Sequence, residues 1–367
     1  MRNVPAAADA ALGADLYQIL TEDAADTVFS PASVASALRI ALCGARGQTA
    51  AELARVLHLD EDPKPQDAAA TGLRSAQDWL TSSGPGSGSA TFRAPNTVWI
   101  QSGLPVSAAF TARLHDAVTL ADATFRAAPE AARTEINRVI ASQTEGKISG
   151  LLPSGAITAL TRLVLASAVY LKAAWTDTFP ERATAGAPFY PDGRDQPALT
   201  VPMMHGTASR AYLRGDGYQA VLLPDGPLAA LRPKVAAAGL GGLLAGAGRH
   251  RVTLSLPRFR LEAAFDLIPA LRRLGVVAAF GADADFGEIT EAAPLRIGAV
   301  AHKAYVDVDE QGTEAAAATA VVIRAAAAMR PPPAVTMVVD RPFLFAIVDG
   351  TAGLPLFLGQ VSHPAAG

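Results

Sequence analysis

The chain carries a single cysteine, Cys43, so it cannot form an internal disulfide. The simplest role for this thiol is that of a small buried apolar residue, and a free thiol is compatible with a reducing compartment. No block of Lys and Arg occurs and the formal net charge is −3. This charge balance gives no indication of binding to nucleic acid or to an anionic membrane surface.

Targeting and membrane-spanning patterns are also missing. The N-terminus lacks the charged start, apolar run and cleavage site of a signal peptide, and no segment approaches the uninterrupted apolar length of a membrane span. We therefore expect a cytoplasmic protein with no membrane partner. An extracellular location is the alternative if a signal was removed.

Common catalytic and cofactor-binding motifs are absent as well. The sequence has no GxSxG, no HExxH and no P-loop, and its six histidines do not have the spacing of metal ligands. The tripeptide Arg214-Gly215-Asp216 is interpreted as a plain turn. We expect no catalytic residue, no metal and no cofactor.

What the chain does have is a large apolar content in a mixed order of elements. Half of its 367 residues are apolar and 18% are charged, which is typical of a globular protein with a large core. Helical spacing over 6–20, 71–80 and 131–142 alternates with strand-like runs, which predicts an α+β fold. The apolar run 163–172 predicts a central strand buried on both faces. The Gly- and Ser-rich connector 81–90 is too short to separate domains.

The most unusual stretch is 310–333, EQGTEAAAATAVVIRAAAAMRPPP. Solvated loops usually carry Gly, Asn, Asp and Ser, whereas this one has the composition of a strand or of an Ala-rich helix. Read as a strand, it places one set of small or apolar side chains on one face and both Glu314 and Arg324 on the other. The buriable face consists of Thr313, Ala315, Ala317, Thr319, Val321 and Ile323. Gly312 provides a hinge position just before it.

Several further segments, spread over nearly the whole chain, follow one another in a recognisable order. They are VFSPASVASAL (28–38), TEGKI (144–148), LVLASAVYLKAAW (163–175), VPMM (201–204), LPRFRLE (256–262), ADFGEIT (284–290), AVAHKAYVDVDEQGTEA (299–315), DRPFLFAI (340–347) and LFLGQVSHP (356–364). In sequence and in order they resemble the serpins, the serine protease inhibitor superfamily. The resemblance implies one domain over 1–367, with an exposed reactive loop at about 310–333. It also implies a large mixed sheet that can accept the loop as an extra strand, two smaller sheets and eight to nine helices.

The activity implied by the resemblance is irreversible, suicide-substrate inhibition of a serine protease, with a cysteine protease as a further target class. The protease attacks the loop, forms an acyl-enzyme, and is trapped when the upstream half of the loop inserts into the sheet. Inhibitory serpins resemble this chain at the hinge, which consists of Glu310, Gly312, Thr313, Ala315, Ala316, Ala317 and Ala318. The alternative is a non-inhibitory serpin that acts as a binding or chaperone protein and is cleaved as a substrate. The resemblance implies a monomer that can polymerise through its loop and sheet.

The reactive bond is expected between Ala326 and Ala327, because the scissile residue in the family usually lies fourteen positions after the hinge glycine. Small residues there favour elastase-like or subtilisin-like proteases. Arg324 and Met329 are the alternatives, the second because the segment between Gly312 and the end of the loop is slightly longer than in many relatives.

A polar cluster beneath the sheet is also implied, formed by Ser30, Ser33 and His302. Ser167 stands where the family usually has Asn, so the cluster loses its amide, and a serine could still bridge to His302, directly or through water. We interpret His302 as a satisfied core histidine rather than as part of a Ser hydrolase site. Trp175 is expected at the point where the loop first enters the sheet.

Two further departures from the family have consequences. Residues 218–231 resemble two family segments merged, with a strand hairpin missing between them, which predicts a thinner second sheet. Residues 71–90 lack the basic helix by which some relatives bind heparin, so no heparin binding is expected.

Overall fold

The computed structural model describes residues 6–22, 26–82, 90–114, 117–175, 177–215, 218–220, 223–224, 248–313, 334–348 and 354–364. Seven α-helices lie in this described part: α1 (Ala6–Leu20), α2 (Pro31–Gly44), α3 (Gly47–Val56), α4 (Pro65–Ser82), α5 (Ala108–Leu114), α6 (Pro129–Gln143) and α7 (Ile268–Arg273). None of the helices described is long and apolar enough to cross a membrane.

The strands of the described part, in chain order, are β1 (Thr27–Phe29), β2 (Ala90–Arg93), β3 (Asn96–Gln101), β4 (Thr119–Ala123), β5 (Leu163–Ala174), β6 (Ala185–Phe189), β7 (Leu199–Gly215), β8 (Tyr218–Ala220), β9 (Leu223–Pro224), β10 (Gly248–Pro257), β11 (Phe259–Asp266), β12 (Ile297–Val308), β13 (Gly312–Thr313), β14 (Val335–Val338), β15 (Phe343–Val348) and β16 (Pro355–Val361). They form three sheets. This mixture of helices with mixed sheets confirms the predicted α+β class.

The large sheet is organised around β5. Its order is β11-β12-β13-β5-β3-β4, and β2 also pairs with β5. β2 and β3 keep one continuous register on β5, since Arg93 lies opposite Tyr170 and Asn96 opposite Ser167. The two strands are separated at residues 94–95, where Pro95 has no N–H for the ladder.

The two smaller sheets complete the core. One has the order β14-β10-β7-β8-β9 with β6 on β7, and the other has the order β1-β16-β15. The longest strand described, β7, is continuous from Leu199 to Gly215. Within 218–231, β8 and β9 form a short antiparallel pair, with Tyr218 opposite Pro224 and Gln219 opposite Leu223. Residues 225–231 lie outside the described part of the chain, so the loss of a family hairpin there stays a prediction.

Helices α2 and α6 cover opposite faces of the large sheet. All fourteen residues of α2 are buried, which fits its apolar and small-residue sequence. It begins where predicted: Ser30 caps it by accepting from Ser33 N, and Pro31 occupies the first helical position. On the other face, Ile136 and Ile140 of α6 belong to the apolar cluster that contains Tyr170 and Tyr305 of the sheet.

Candidate functional site

The reactive-loop region begins with a tight turn at the top of the large sheet. After β12 ends at Val308, Asp309 Oδ1 accepts from the backbone N–H groups of Gln311 (2.8 Å) and Gly312 (3.1 Å), which reverses the chain. Gly312 has φ +152°, a conformation that favours glycine. The turn therefore depends on Asp309 as the hydrogen-bond acceptor and on Gly312 for its backbone conformation.

The chain returns from this turn as β13, which lies between β12 and β5. Thr313 pairs with Val308 on one side and with Ala173 on the other, and both pairings are antiparallel. Gly312 pairs with Ala174. The first two residues of the loop thus already occupy the position of an extra strand.

Below β13, β5 and β12 pair directly with each other. Their parallel register joins 163–170 to 297–305, with an irregularity at residue 298. We call the line between β5 and β12 the seam. Its upper part is occupied by β13 and its lower part is closed by this backbone ladder.

A buried ion pair fixes the top of the seam. Arg258 Nε donates to both carboxylate oxygens of Glu310 (2.8 Å each), and Thr184 Oγ1 donates to Oε1 of the same carboxylate. The Glu310 side chain is 3% exposed, while that of Arg258 is 41% exposed. Burial raises the pKa of Glu310, but the hydrogen bonds from Arg258 and Thr184 outweigh it and hold the pKa below its usual value.

Trp175 lies at the end of β5, where the sequence placed the entrance of the loop. Its backbone N–H donates to Gln311 O (2.9 Å) and its indole Nε1 donates to Asp309 O (2.8 Å). Phe179 N donates to Glu310 O (3.0 Å), and the Phe179 ring meets the indole edge to face. The turn is therefore held by main-chain bonds as well as by the ion pair.

The polar cluster predicted from the sequence is assembled beneath the lower part of the seam. Ser30 N donates to His302 Nε2 (3.0 Å), Ser167 Oγ lies 3.1 Å from His302 Nδ1, and Ser33 Oγ lies 2.6 Å from Ser167 Oγ. Ser167 and His302 are directly opposite each other across the seam. Ser167 therefore bonds to His302 directly. The sequence left open a direct bond or one through water, and the direct bond is the one observed.

The cluster is buried and neutral. Ser30, Ser33, Ser167 and His302 are at most 2% exposed. Burial lowers the pKa of His302 to about 3, with a small opposing effect from Ser167. No substrate can reach these hydroxyls in the closed sheet, which agrees with a structural histidine rather than a hydrolase site.

The loop that follows α6 covers the other face of the seam. Lys303 Nζ donates to Ser149 O (2.7 Å), and Asn137 exchanges two hydrogen bonds with the backbone of Leu152 (2.8 and 2.9 Å). Lys303 also pairs with Glu262. A strand that enters the lower part of the seam must pass beneath this covering loop.

Sequence reasoning missed Arg258 and Thr184 as partners of Glu310, although Arg258 lies within the matched segment 256–262. The remaining predicted hinge and reactive-bond residues lie outside the described part of the chain: Ala315, Ala316, Ala317, Ala318, Arg324, Ala326, Ala327 and Met329. Within the described ranges, no group of three or more His, Cys, Asp and Glu side chains could hold a metal ion.

Comparison with known proteins places this geometry in a family. The family described as Serpin (serine protease inhibitor) matches residues 7–364. The chain is 34% identical to the leukocyte elastase inhibitor of Sus scrofa over 98% of this chain and 99% of that protein. It is also 34% identical to an uncharacterized serpin-like protein of Thermococcus kodakarensis, over 96% and 84% of the two chains. The structure of Serpin48, a highly specific serpin of the insect Tenebrio molitor, has a TM-score of 0.83 at 26% identity and 98% coverage of both chains. The chain therefore belongs to the serpin family.

Proposed function

We propose that this protein is an irreversible inhibitor of elastase-like or subtilisin-like serine proteases, and that it traps the acyl-enzyme by inserting its loop into the large sheet. Family membership and the elastase-inhibitor relatives support protease inhibition in general, with a target protease as partner. The observation that carries the finer proposal is β13: Thr313 already pairs in register with both sides of the seam, and Gly312 pairs with β5.

Extending the register of β13 downward tests whether the loop sequence fits the seam. Each further loop residue would lie opposite the next lower residue of β5 and of β12, because the two strands are themselves in the matching parallel register. Thr319 would then lie opposite Ser167 and His302. A hydroxyl at that position suits the polar cluster, whose neighbours on the same face, Val169 of β5 and Ala304 of β12, are apolar and buried.

The two faces of the inserted strand would also match their surroundings. Thr313 is 5% exposed and lies between Ala173 and Val308, so alternation places Val321 and Ile323 on the same buried face. Glu314 and Arg324 would fall on the opposite face of the sheet, which is the face that carries α6. Insertion along this path buries no charge among the apolar residues around α2.

The energy for trapping would come from the extra strand. Insertion breaks the direct ladder between β5 and β12 and forms two in its place, a net gain on the order of ten hydrogen bonds at about 1 kcal/mol each. Burying Val321 and Ile323 would add about 1.5 to 3 kcal/mol each. These terms together are large enough to distort a bound protease.

The trapping step begins at the proposed reactive bond between Ala326 and Ala327. The serine hydroxyl of the protease attacks the carbonyl carbon of Ala326 and forms an ester, and the peptide bond breaks. The amino group of Ala327 leaves with the proton that the serine gave up. Insertion then carries the ester away before water can hydrolyse it.

The first test is incubation with an elastase-like, a subtilisin-like and a trypsin-like protease, followed by denaturing electrophoresis and mass analysis of the released C-terminal peptide. We expect a complex that survives denaturant and a peptide that begins at Ala327. A peptide beginning elsewhere would move the reactive bond. If every protease cleaves the loop and is released, the inhibitory proposal fails and a binding or chaperone role replaces it.

Thr313→Arg tests insertion itself. An arginine on the buried face between Ala173 and Val308 would stall the strand, so we expect the stoichiometry of inhibition to rise at least tenfold as the protein becomes a substrate. The control is Gln311→Arg, which adds the same charge two residues earlier, beside Glu181 and outside the strand. Equal stoichiometry for Thr313→Arg and wild type would contradict insertion.

A further inference from the structure

One backbone group fixes the direction of the hydrogen bonds made by His302. Ser30 N can only donate, so His302 Nε2 must accept and carry no proton. A neutral imidazole then has its proton on Nδ1, which donates to Ser167 Oγ at 3.1 Å. The strong burial of His302 agrees with the neutral ring.

The same logic sets the two hydroxyls. Because Ser167 Oγ accepts from His302, its own hydrogen is available for Ser33 Oγ at 2.6 Å. When Ser167 donates this hydrogen, Ser33 Oγ accepts it and has its own hydrogen free for another acceptor. The chain of donors therefore runs from His302 through Ser167 to Ser33, and continues beyond it.

A small cavity lies where this chain leads. Its volume is about 20 Å³, and its polar lining consists of Ser33, Ser36, Gln77 and Asn96. Asn96 Oδ1 is buried and has no hydrogen-bond partner among the described residues. Ser36 Oγ donates to Ala32 O (2.9 Å) and so keeps its lone pairs as acceptors. One side of the cavity thus supplies a hydrogen and the other supplies acceptors.

We propose that this cavity binds one water molecule, which accepts from the Ser33 hydroxyl and donates to Asn96 Oδ1 and to Ser36 Oγ. The volume is sufficient for one water, and three hydrogen bonds are typical of a buried one. The water satisfies Asn96 Oδ1, which would otherwise be costly to bury.

This assignment makes Asn96 a positioning residue for the seam. Asn96 lies directly opposite Ser167 in the β3–β5 pairing. The family resemblance implies an amide at position 167, and in this chain the amide of Asn96 lies on the neighbouring strand instead. Through the water it holds the Ser33 hydroxyl in the direction that lets Ser167 accept from His302 across the seam. That consequence for sheet opening rests on the proposed function, whereas the water site does not.

The direct test is a crystal structure of the closed wild-type protein at a resolution that shows ordered water. We expect a water within about 3 Å of both Ser33 Oγ and Asn96 Oδ1. Nitrogen-15 NMR of the histidines should show His302 as the neutral tautomer with the proton on Nδ1. A dry cavity, or a proton on Nε2, would overturn the proposal.

Variants test the role of Asn96 independently of protease inhibition. Asn96→Leu and Ser33→Ala should each remove the water and lower the urea concentration at which the closed form is lost. The double variant should lose little more than the more affected single variant, because both act through the same water. Additive losses would overturn the coupling.

The matched control is Thr97→Val. Thr97 Oγ1 is also buried without a partner in the described part of the chain, but the next residue along β3 faces the opposite side of the sheet. This variant should keep the water and show no loss of urea resistance. Loss of the water in Thr97→Val would mean that the cavity responds to any change in β3, contrary to the proposal. If the water is present but no protease is trapped, only the proposed function fails.

Discussion

The two parts of the seam between β5 and β12 are built differently. In the upper part, Thr313 separates the strands and pairs with both Ala173 and Val308. In the lower part the strands pair directly, and Ser167 meets His302 across the seam. The sheet is therefore already open where a loop would enter and closed where the rest of that loop would go.

The chemistry of the two parts differs as well. The upper part is fixed by a charged pair, Arg258 with Glu310, and one partner is partly exposed to solvent. The lower part is fixed by a backbone ladder and by a neutral, fully buried hydrogen-bonded chain. We therefore expect the stability of the upper part to depend on charge and solvent, and the lower part to open only when a strand replaces its ladder.

Locking the lower part should have the largest effect. Ala166 and Ala301 are directly opposite across the seam, and both face α6. In the double variant Ala166→Cys/Ala301→Cys, an oxidised disulfide would hold β5 against β12. We expect complete loss of the denaturant-resistant complex, with the loop still cleaved, and recovery after reduction, measured by denaturing electrophoresis.

The control disulfide is Ala263→Cys/Ala304→Cys, which joins β11 to β12 and does not cross the seam. It should leave trapping intact in both redox states. Cys43 does not interfere, because burial raises the pKa of its thiol to about 12. If the oxidised Ala166→Cys/Ala301→Cys variant still trapped a protease, trapping would not require the seam to open.

Weakening the upper part should have a smaller effect. Glu310→Gln removes the charge that Arg258 neutralises, and we expect the free energy of unfolding to fall by roughly 1 to 3 kcal/mol. Urea denaturation would measure the loss. The matched variant Arg258→Gln and the double variant complete a cycle, and a double variant as stable as either single one is the expected result. Independent, additive losses would contradict the ion pair.

Local patterns in the sequence predicted the elements of both parts. Ser30 and Pro31 predicted the start of α2, the run 163–172 predicted the central strand, and Gly312 was singled out as a backbone position that only glycine suits. These signals depend on residues next to each other in the chain. They could be read without knowing which strands pair.

The contacts that hold the seam could not be predicted in the same way. Arg258 and Thr184 are 52 and 126 residues away from Glu310 in the chain, and all three lie just outside strands, so no local pattern links them. The same applies to Asn96, which meets Ser167 because β3 pairs with β5 at that point. The period of a strand predicts which face a residue occupies, but not its neighbour on the next strand.

The last expected effect is a difference in the pH at which the two parts weaken. His302 has a pKa of about 3 in the folded protein against about 6.5 when exposed, so the unfolded chain binds more protons between these values. Its contribution is fully present above about pH 6.5 and falls by about 1.4 kcal/mol per unit as the pH drops below that. Glu310, whose pKa is lowered, contributes stability that is lost only below its ordinary value near 4.5.

Urea denaturation of wild type and His302→Gln between pH 7 and 5 would separate the two parts. An amide can still accept from Ser30 and donate to Ser167, so the variant keeps the hydrogen bonds without the titration. We expect wild type to lose stability relative to His302→Gln as the pH falls through this range, and Glu310→Gln to keep the wild-type slope. Parallel pH profiles for wild type and His302→Gln would mean that the histidine is not held neutral by the closed lower part. In that case its burial could not contribute to keeping the sheet shut.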